Sequence, residues 1–134
     1  MPVARLLDTN ICIYIARSHP ATVGRRFARA AAGSLGIFII TWGEPFFGAA
    51  RNNDPGRAHS LLEQFARVVE VLPLPMGAGP HYGEVRAVLQ KAGTPIGNYD
   101  LWIAAHALSL GVPLVSNNLR EFERVPGLKL ENWV

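Results

Sequence analysis

Three acidic residues occupy positions where an α/β sheet would bring them to a common edge. Asp8 follows a short apolar run, and Glu44 follows a second apolar run by four residues. Asp100 opens a segment with helical spacing that leads into a third run. Ligand sites in open α/β sheets lie at the carboxyl ends of the strands, so we expect these carboxylates to lie together, near Asn117 and Asn118. Carboxylates at close range repel one another, and a hard divalent cation such as Mg²⁺ or Mn²⁺ relieves that repulsion.

Each of these acids also has a structural interpretation, because carboxylates stabilise helix N-termini. Asp8 is a candidate N-cap for a helix beginning at Thr9, and Asp100 suits the first turn of its own helix. Thr41 and Glu44 have the T-x-x-E spacing of a capping box. The chain has only 10 acidic residues, however, and three of them at one predicted edge favour a shared site.

The elements that would position these residues follow from hydrophobic spacing and from Gly and Pro punctuation. Strands separated by helices indicate parallel pairing through right-handed crossovers. The sequence therefore predicts one domain over residues 1–134, an α/β protein built as a three-layer α/β/α sandwich with a central, mainly parallel sheet of about five strands. The predicted strands are 2–7, 36–40, 68–74, 112–116 and 128–133; the predicted helices are 9–17, 21–32, 41–52, 57–67, 80–91 and 100–110, with a turn at 54–56.

Composition restricts the classes of protein that remain. Of 134 residues, 49% are hydrophobic and 17% are charged, which excludes an intrinsically disordered chain. A single cysteine, Cys12, excludes an internal disulfide and a structural zinc cluster, and no apolar run is long enough to cross a membrane. With no signal-peptide pattern at its start, the chain is expected to be cytoplasmic. The net charge is +3 and 11 of the 13 basic residues are Arg, which favours a nucleic-acid partner but also suits an ordinary solvated surface.

Four segments in order resemble the PIN-domain ribonucleases, and specifically the VapC toxins of bacterial type II toxin–antitoxin pairs. They are LLDTNICIYI at 6–15, IITWGEPFFGA at 39–49, GTPIGNYDLWIAAHAL at 93–108 and LVSNNLREFERVPGLKLENW at 114–133. The resemblance covers essentially the whole chain. It implies the same PIN-like fold and an endoribonuclease that depends on Mg²⁺ or Mn²⁺.

The resemblance also assigns roles to individual residues. It implies that Asp8, Glu44 and Asp100 are the catalytic, metal-binding acids. Many PIN proteins carry a fourth acid after the last core strand, where this chain has Asn118, an uncharged residue. Glu121, three residues further on, is the candidate substitute. A second departure is Pro45, which directly follows Glu44 and bears on where that carboxylate points.

Several neighbouring residues are candidates for supporting roles. Thr9 and Ser116 carry hydroxyls beside the predicted acids, which suits either a contact to a metal ligand or a cap or turn. Arg120 is a candidate contact to an RNA phosphate. His106 lies six residues after Asp100, over a turn and a half away, and is expected to face elsewhere.

The partners implied by the resemblance are an RNA substrate and a VapB-type antitoxin. The style of the motifs around 93–100 and 117–127 indicates a tRNA, in particular the anticodon loop of initiator tRNA. The family also implies a homodimer and a hetero-oligomer with the antitoxin. The apolar residues Trp42, Phe46 and Phe47 are candidates for the antitoxin groove or for the dimer contact.

Three other classes compete for the same acids. A haloacid-dehalogenase-like phosphatase needs a second Asp two residues after the first, where this chain has Asn10. A receiver domain needs an acid beside the first and a Lys after a late strand, and neither is evident. A catalytically degenerate PIN-fold module that binds RNA or protein is the main alternative.

Overall fold

Five short strands and seven helices alternate along the part of the chain that the structure, a computed structural model, describes: residues 2–17 and 19–134. None of these helices combines the length and apolar character needed to cross a bilayer. The strands are β1 (Arg5–Leu7), β2 (Leu35–Phe38), β3 (Val69–Leu72), β4 (Leu114–Val115) and β5 (Leu130–Glu131); the helices are α1 (Thr9–Arg17), α2 (Ala21–Arg29), α3 (Ile39–Ala50), α4 (Pro55–Ala66), α5 (Ala78–Lys91), α6 (Asn98–Leu110) and α7 (Leu119–Phe122).

The strands form one parallel sheet in the order β3-β2-β1-β4-β5. Leu6 of β1 pairs with Gly36 of β2 on one side and with Leu114 of β4 on the other. The chain leaves the central strand in both directions, so the carboxyl ends of β1 and β4 border the topological switch point, where α/β sheets bind ligands. The predicted fold class is confirmed, with five strands that are all parallel.

Alternating side chains along each strand point to opposite faces of the sheet, and each face has its own core. One core is built by α5, α6 and α7, and includes Leu6, Phe38, Leu89, Ile103, Leu114 and Phe122. The other is built by α1 to α4, and includes Leu7, Ile11, Val23, Ile37, Val115 and Trp133. A sheet covered on both faces explains the continuous apolar strands, and it makes the sandwich three-layered.

Gly36 shows how closely these layers approach. A Cβ at this position would lie 2.8 Å from Cδ1 of Leu72 and 2.9 Å from Cγ1 of Val3. Only glycine fits there without displacing its neighbours. Gly111 ends α6 in the left-handed conformation at φ 69°, as its position after the apolar spacing predicts.

The predicted strand 36–40 is wrong at its end, because β2 stops at Phe38 and α3 begins at Ile39. The neighbouring strand β3 ends at Leu72, opposite Phe38, and is followed by Pro73, which has no N–H to continue the pairing. Ile39 and Ile40 are therefore helical, and their side chains are exposed.

The capping box predicted at Thr41 and Glu44 is also wrong. Thr41 is the third residue of α3, the N-cap is Phe38, and no side chain caps this helix. Pro45 accordingly lies inside α3 rather than in its first turn, so the carbonyl of Thr41 lacks its usual helical partner. The sequence pattern correctly predicted a helix, but it placed the start at Thr41, two residues after the observed start at Ile39.

Other boundaries shift by a few residues. The predicted turn 54–56 is the start of α4, with Asp54 as N-cap accepting the N–H of Arg57 at 3.2 Å and Pro55 in the first turn. Asp100 is the third residue of α6, which begins at Asn98. The short helix α7 was not predicted, because four residues carry too little periodicity to indicate a helix.

Candidate metal centre

Asp8 follows β1 at the switch point and is nearly completely buried, with 5% of its surface exposed. Its Oδ1 accepts the N–H of Thr9 at 2.8 Å, and its Oδ2 accepts the hydroxyl of Ser116 at 2.8 Å. Its backbone carbonyl accepts the N–H of Cys12 and so begins α1. The same aspartate therefore begins α1 and bonds to Ser116 through its carboxylate, while its role as a metal ligand stays a prediction. Burial raises the pKa of Asp8, opposed by the two hydrogen bonds, and the charge of Glu121 raises it further.

Asp100 lies in the first turn of α6 and is half-buried. Burial raises the pKa of Asp100 to about 7, and the neighbouring carboxylates of Glu121 and Asp8 contribute to the shift. The carboxyl groups of Asp100 and Glu121 lie within hydrogen-bonding range of each other. Asp8 and Asp100 are 92 residues apart in sequence, and with Glu121 they form one electrostatic cluster.

Glu121, carried by α7, is the third member of this cluster. Its hydrogen bond with Asp100 lowers the pKa of Glu121, burial opposes that shift, and the Asn118 side chain and the charge of Arg124 lower it further. Within the described residues its Oε2 is buried and receives no hydrogen bond from a nitrogen or hydroxyl donor. Asn118 occupies the position where many PIN proteins carry the fourth acid. Its side chain lies beside Glu121, the candidate substitute three residues later.

Glu44 lies on α3 and is not part of this electrostatic cluster. It follows Thr41 by one turn on the same side of α3, and its side chain is exposed. The charges that shift the pKa values of Asp8 and Asp100 do not include Glu44. Arg120, on α7, is exposed to solvent. Asp8, Asp100 and Glu121 therefore influence one another's charge, whereas Glu44 is an exposed residue of α3 outside that set.

The hydroxyls of Ser116 and Thr9 form hydrogen bonds beside the carboxylate cluster. The Ser116 hydroxyl is completely buried, donates to Asp8 and accepts the N–H of Asn118 at 3.0 Å. Thr9 contacts the Tyr99 hydroxyl through its Oγ1 at 2.9 Å. Both hydroxyls therefore have a structural partner that fixes a segment of the site.

Tyr99 is a site residue that the sequence analysis did not single out. Its hydroxyl is hydrogen-bonded to Thr9 of α1 and to Thr41 of α3, and so joins three helices around the carboxylates. Burial raises the pKa of Tyr99 to about 12, opposed by the bonds from Thr41 and Thr9. Its position directly before Asp100 is the one sequence feature that could have marked Tyr99 as a site residue. Its hydrogen-bond partners are 90 and 58 residues away in sequence, so no local pattern indicates them.

His106 takes no part in the carboxylate cluster. It is completely buried, its ring packs edge-on against Phe38 at 5.2 Å, and neither ring nitrogen has a hydrogen-bond partner among the described residues. Burial lowers the pKa of His106 and keeps the ring neutral.

The donor set of this cluster fits a hard divalent cation. It consists of carboxylate oxygens that repel one another, and among the described residues no N–H or O–H donor reaches the buried Oε2 of Glu121. Mg²⁺ and Mn²⁺ neutralise such an environment. In residues 2–17 and 19–134 no group of three or more His, Cys, Asp or Glu side chains is arranged so that it could hold a metal ion. Binding of an ion would therefore require the carboxylates to move closer together.

The fold agrees with comparisons against known proteins. The family model of the PIN domain matches residues 5–128. The chain therefore belongs to the PIN-domain family, as the four motifs indicated.

Its relatives narrow the group further. The chain is 41% identical over 128 residues to the tRNA(fMet)-specific endonuclease VapC of Shigella flexneri, with 96% of each chain covered. It is 43% identical over 129 residues to ribonuclease VapC2 of Haemophilus influenzae, with 96% of this chain and 97% of the relative covered. Within the PIN-domain family the chain groups with the VapC ribonucleases.

Solved structures give the same grouping. VapBC from Salmonella typhimurium, solved bound to DNA, matches with a TM-score of 0.88 and 40% identity over 98% of this chain and 99% of that one. VapBC2 from Rickettsia felis, bound to a DNA fragment from its promoter, matches with a TM-score of 0.84 and 33% identity over the full length of both chains.

Proposed function

We propose that the chain is a divalent-metal-dependent endoribonuclease of a toxin–antitoxin module, and that it cleaves tRNA, with initiator tRNA as its first candidate substrate. The observation that carries the proposal is the convergence of Asp8, Asp100 and Glu121 at the switch point of a PIN-domain sheet. The tRNA(fMet)-specific relative supports the choice of substrate.

The residues of the site divide into ligands and supports. Asp8, Asp100 and Glu121 would hold the ion, and Glu44, exposed on the rim, would complete the set from the solvent side. Each carboxylate oxygen of Asp8 accepts one hydrogen bond and keeps a further lone pair for a ligand. These residues would hold Mg²⁺ or Mn²⁺, which would supply a water of lowered pKa and neutralise charge on the scissile phosphate. The Ser116 hydroxyl fixes the orientation of Asp8 throughout.

The test is cleavage of a defined RNA by the purified protein. Incubation with initiator tRNA and Mg²⁺ should give two fragments, and an excess of EDTA should stop the reaction because the carboxylates alone cannot stabilise an anionic transition state. An elongator tRNA is the matched substrate control. Intact initiator tRNA after prolonged incubation with Mg²⁺ or with Mn²⁺ would contradict the proposed activity.

We infer from the VapBC structures that a VapB-type antitoxin binds this chain. The homodimer implied by the family resemblance stays a prediction. An exposed apolar face supports a protein partner: Ile39, Ile40 and Phe47 of α3 are 44%, 58% and 59% exposed. Trp42 and Phe46, in contrast, pack against each other at 5.0 Å and are half-buried. Of the three aromatics considered for a partner surface, Phe47 is the exposed one, and the Arg51 guanidinium lies 4.6 Å from the centroid of its ring.

Mg²⁺ should stabilise the protein more at pH 8 than at pH 6.5. The pKa of Asp100 in the folded chain, about 7, lies above its ordinary value of 3.8, so between these values the folded state binds more protons than the unfolded state. The stability of the metal-free protein therefore falls as the pH rises through 7, and an ion that needs the ionised carboxylate binds better there. We expect Mg²⁺ at about 100 times its Kd to raise the Tm by roughly 5–10 °C at pH 8 and by clearly less at pH 6.5.

Thermal scans of wild type and Asp100→Asn, with and without Mg²⁺, measure this linkage. The variant should lose both the dependence of the metal-free Tm on pH in this window and most of the Mg²⁺ effect. An equal Mg²⁺ shift at both pH values would show that Asp100 does not exchange its proton for the ion.

A further inference from the structure

A cavity of about 270 Å³ lies between α5 and α6, outside the carboxylate cluster. Its floor is apolar and includes the buried side chains of Leu89 and Leu101. Its rim carries the exposed polar side chains of Arg86, Gln90 and Asn98. No acidic residue lines it.

A directed chain of hydrogen bonds fixes two of the rim side chains. Nη1 of Arg86 donates to the Tyr82 hydroxyl at 2.9 Å, and that hydroxyl donates to Oδ1 of Asn98 at 2.5 Å. The Arg86 guanidinium also lies over the Tyr82 ring, 5.9 Å from its centroid. Tyr82 is held in turn by stacking on Trp102, with ring centroids 4.0 Å apart. The rim is therefore ordered before any ligand binds.

The direction of this chain decides what the rim offers to a ligand. Tyr82 occupies the acceptor oxygen of Asn98, and the Tyr82 oxygen itself accepts from Arg86. The groups left over include several N–H donors: the Asn98 amide nitrogen, the remaining guanidinium nitrogens of Arg86 and the Gln90 amide nitrogen. Donors and a positive charge over an apolar floor suit a nucleotide, with its phosphate at the rim and its base against the floor.

The cavity is connected to the carboxylate cluster through shared elements. Asn98 and Asp100 both lie in the first turn of α6, about 3 Å apart along the helix axis, and their side chains project from different sides of it. Pro95 lines the cavity, and its carbonyl accepts Nη1 of Arg124 at 3.2 Å. Arg124 is the residue whose charge lowers the pKa of Glu121. The cavity and the centre therefore share the N-terminal end of α6 and the contact between Pro95 and Arg124.

We propose that this cavity binds a nucleotide of the substrate RNA that flanks the cleaved bond, and that Arg86 is the residue that anchors its phosphate. The proposal rests on the proposed function, since it gives the RNA a second point of attachment beside the same centre. It makes Arg86 a determinant of RNA affinity, with no part in bond cleavage.

The test is RNA binding measured apart from cleavage. Fluorescently labelled initiator tRNA is titrated with Asp100→Asn protein, with and without Arg86→Met, at several salt concentrations. Arg86→Met should raise the Kd about tenfold, the size expected for a hydrogen bond to a charged group. It should also make the slope of log K against log salt shallower by about 0.7, the contribution of one phosphate of a single strand.

Arg67→Met is the matched control. Arg67 is the exposed C-cap residue of α4, does not line the cavity, and has no ion pair among the described residues. A Kd and a salt slope for Arg86→Met equal to those of Arg67→Met would overturn the inference. A lower molar mass of Arg86→Met by light scattering, with unchanged Kd, would overturn it in favour of a contact between two copies of the chain. Failure of wild type to cleave the tRNA is scored separately and counts against the proposed function.

Discussion

Asp100→Asn should lower the rate of RNA cleavage about a thousandfold or more while it stabilises the metal-free protein. Asp100 lies beside Asp8 and Glu121, and its raised pKa shows that its negative charge is disfavoured in that position. The neutral amide removes the repulsion, so the Tm at pH 8 should rise by about 3 °C or more. Loss of a carboxylate ligand removes several kcal/mol of transition-state charge stabilisation, which corresponds to the expected loss of rate.

Single-turnover cleavage of initiator tRNA and thermal scans measure the two effects on the same sample. Their opposite directions separate a damaged centre from a damaged fold, because unfolding would lower both quantities. Near-normal cleavage by the variant would exclude Asp100 as a ligand. A wild-type protein that binds tRNA but neither cleaves it nor binds Mn²⁺ by calorimetry would favour the alternative, a catalytically degenerate PIN-fold module.

Ser116→Ala should reduce metal affinity and cleavage by about 10–100-fold, the usual cost of losing a group that orients a ligand. The Ser116 hydroxyl is completely buried and donates to Oδ2 of Asp8 at 2.8 Å, so its loss frees that carboxylate to turn. It also removes the acceptor for the Asn118 N–H, which begins the segment leading to Glu121. Two of the three clustered carboxylates are therefore affected by one hydroxyl.

Ser109→Ala is the matched control for this change. The Ser109 hydroxyl also donates to an oxygen at short range, the backbone carbonyl of His106 at 2.7 Å, but on α6 away from the carboxylates. We expect a small loss of stability and no change in cleavage. Mn²⁺ titrations by calorimetry, with cleavage rates at saturating and limiting Mn²⁺, compare the variants. Equal metal affinity in the two variants would show that the hydrogen bond from Ser116 does not orient Asp8 for metal binding.

The positions of Asp8 and Asp100 could be predicted from sequence because each depends on local signals. An apolar run that ends in Asp8 makes a buried strand, and the spacing of Leu101, Ala104 and Leu108 makes a helix next to Asp100. The rule that parallel strands share one carboxyl edge then brings both residues to the same place. The fold class followed from the same alternation of strands and helices.

The membership of the carboxylate cluster could not be predicted in this way. Glu121 is carried by a helix of four residues with no periodicity of its own, and it reaches Asp100 only because α7 and α6 pack on one face of the sheet. Glu44 was predicted from a helix start at Thr41, whereas pairing between β2 and β3 fixes that start at Ile39. Tyr99 has no signal in its local sequence that identifies its partners on two other helices.

The sequence alone determined the order of the strands and of the helices other than α7, the parallel sheet and the two aspartates at its carboxyl edge, because hydrophobic spacing and punctuation act over a few residues. Only the tertiary structure decided which other side chains join them, as the packing of α7 and α3 against the sheet depends on contacts between residues far apart in the chain. Charges sense distance in space, so the mutual influence of Asp8, Asp100 and Glu121 arises only once the layers are assembled.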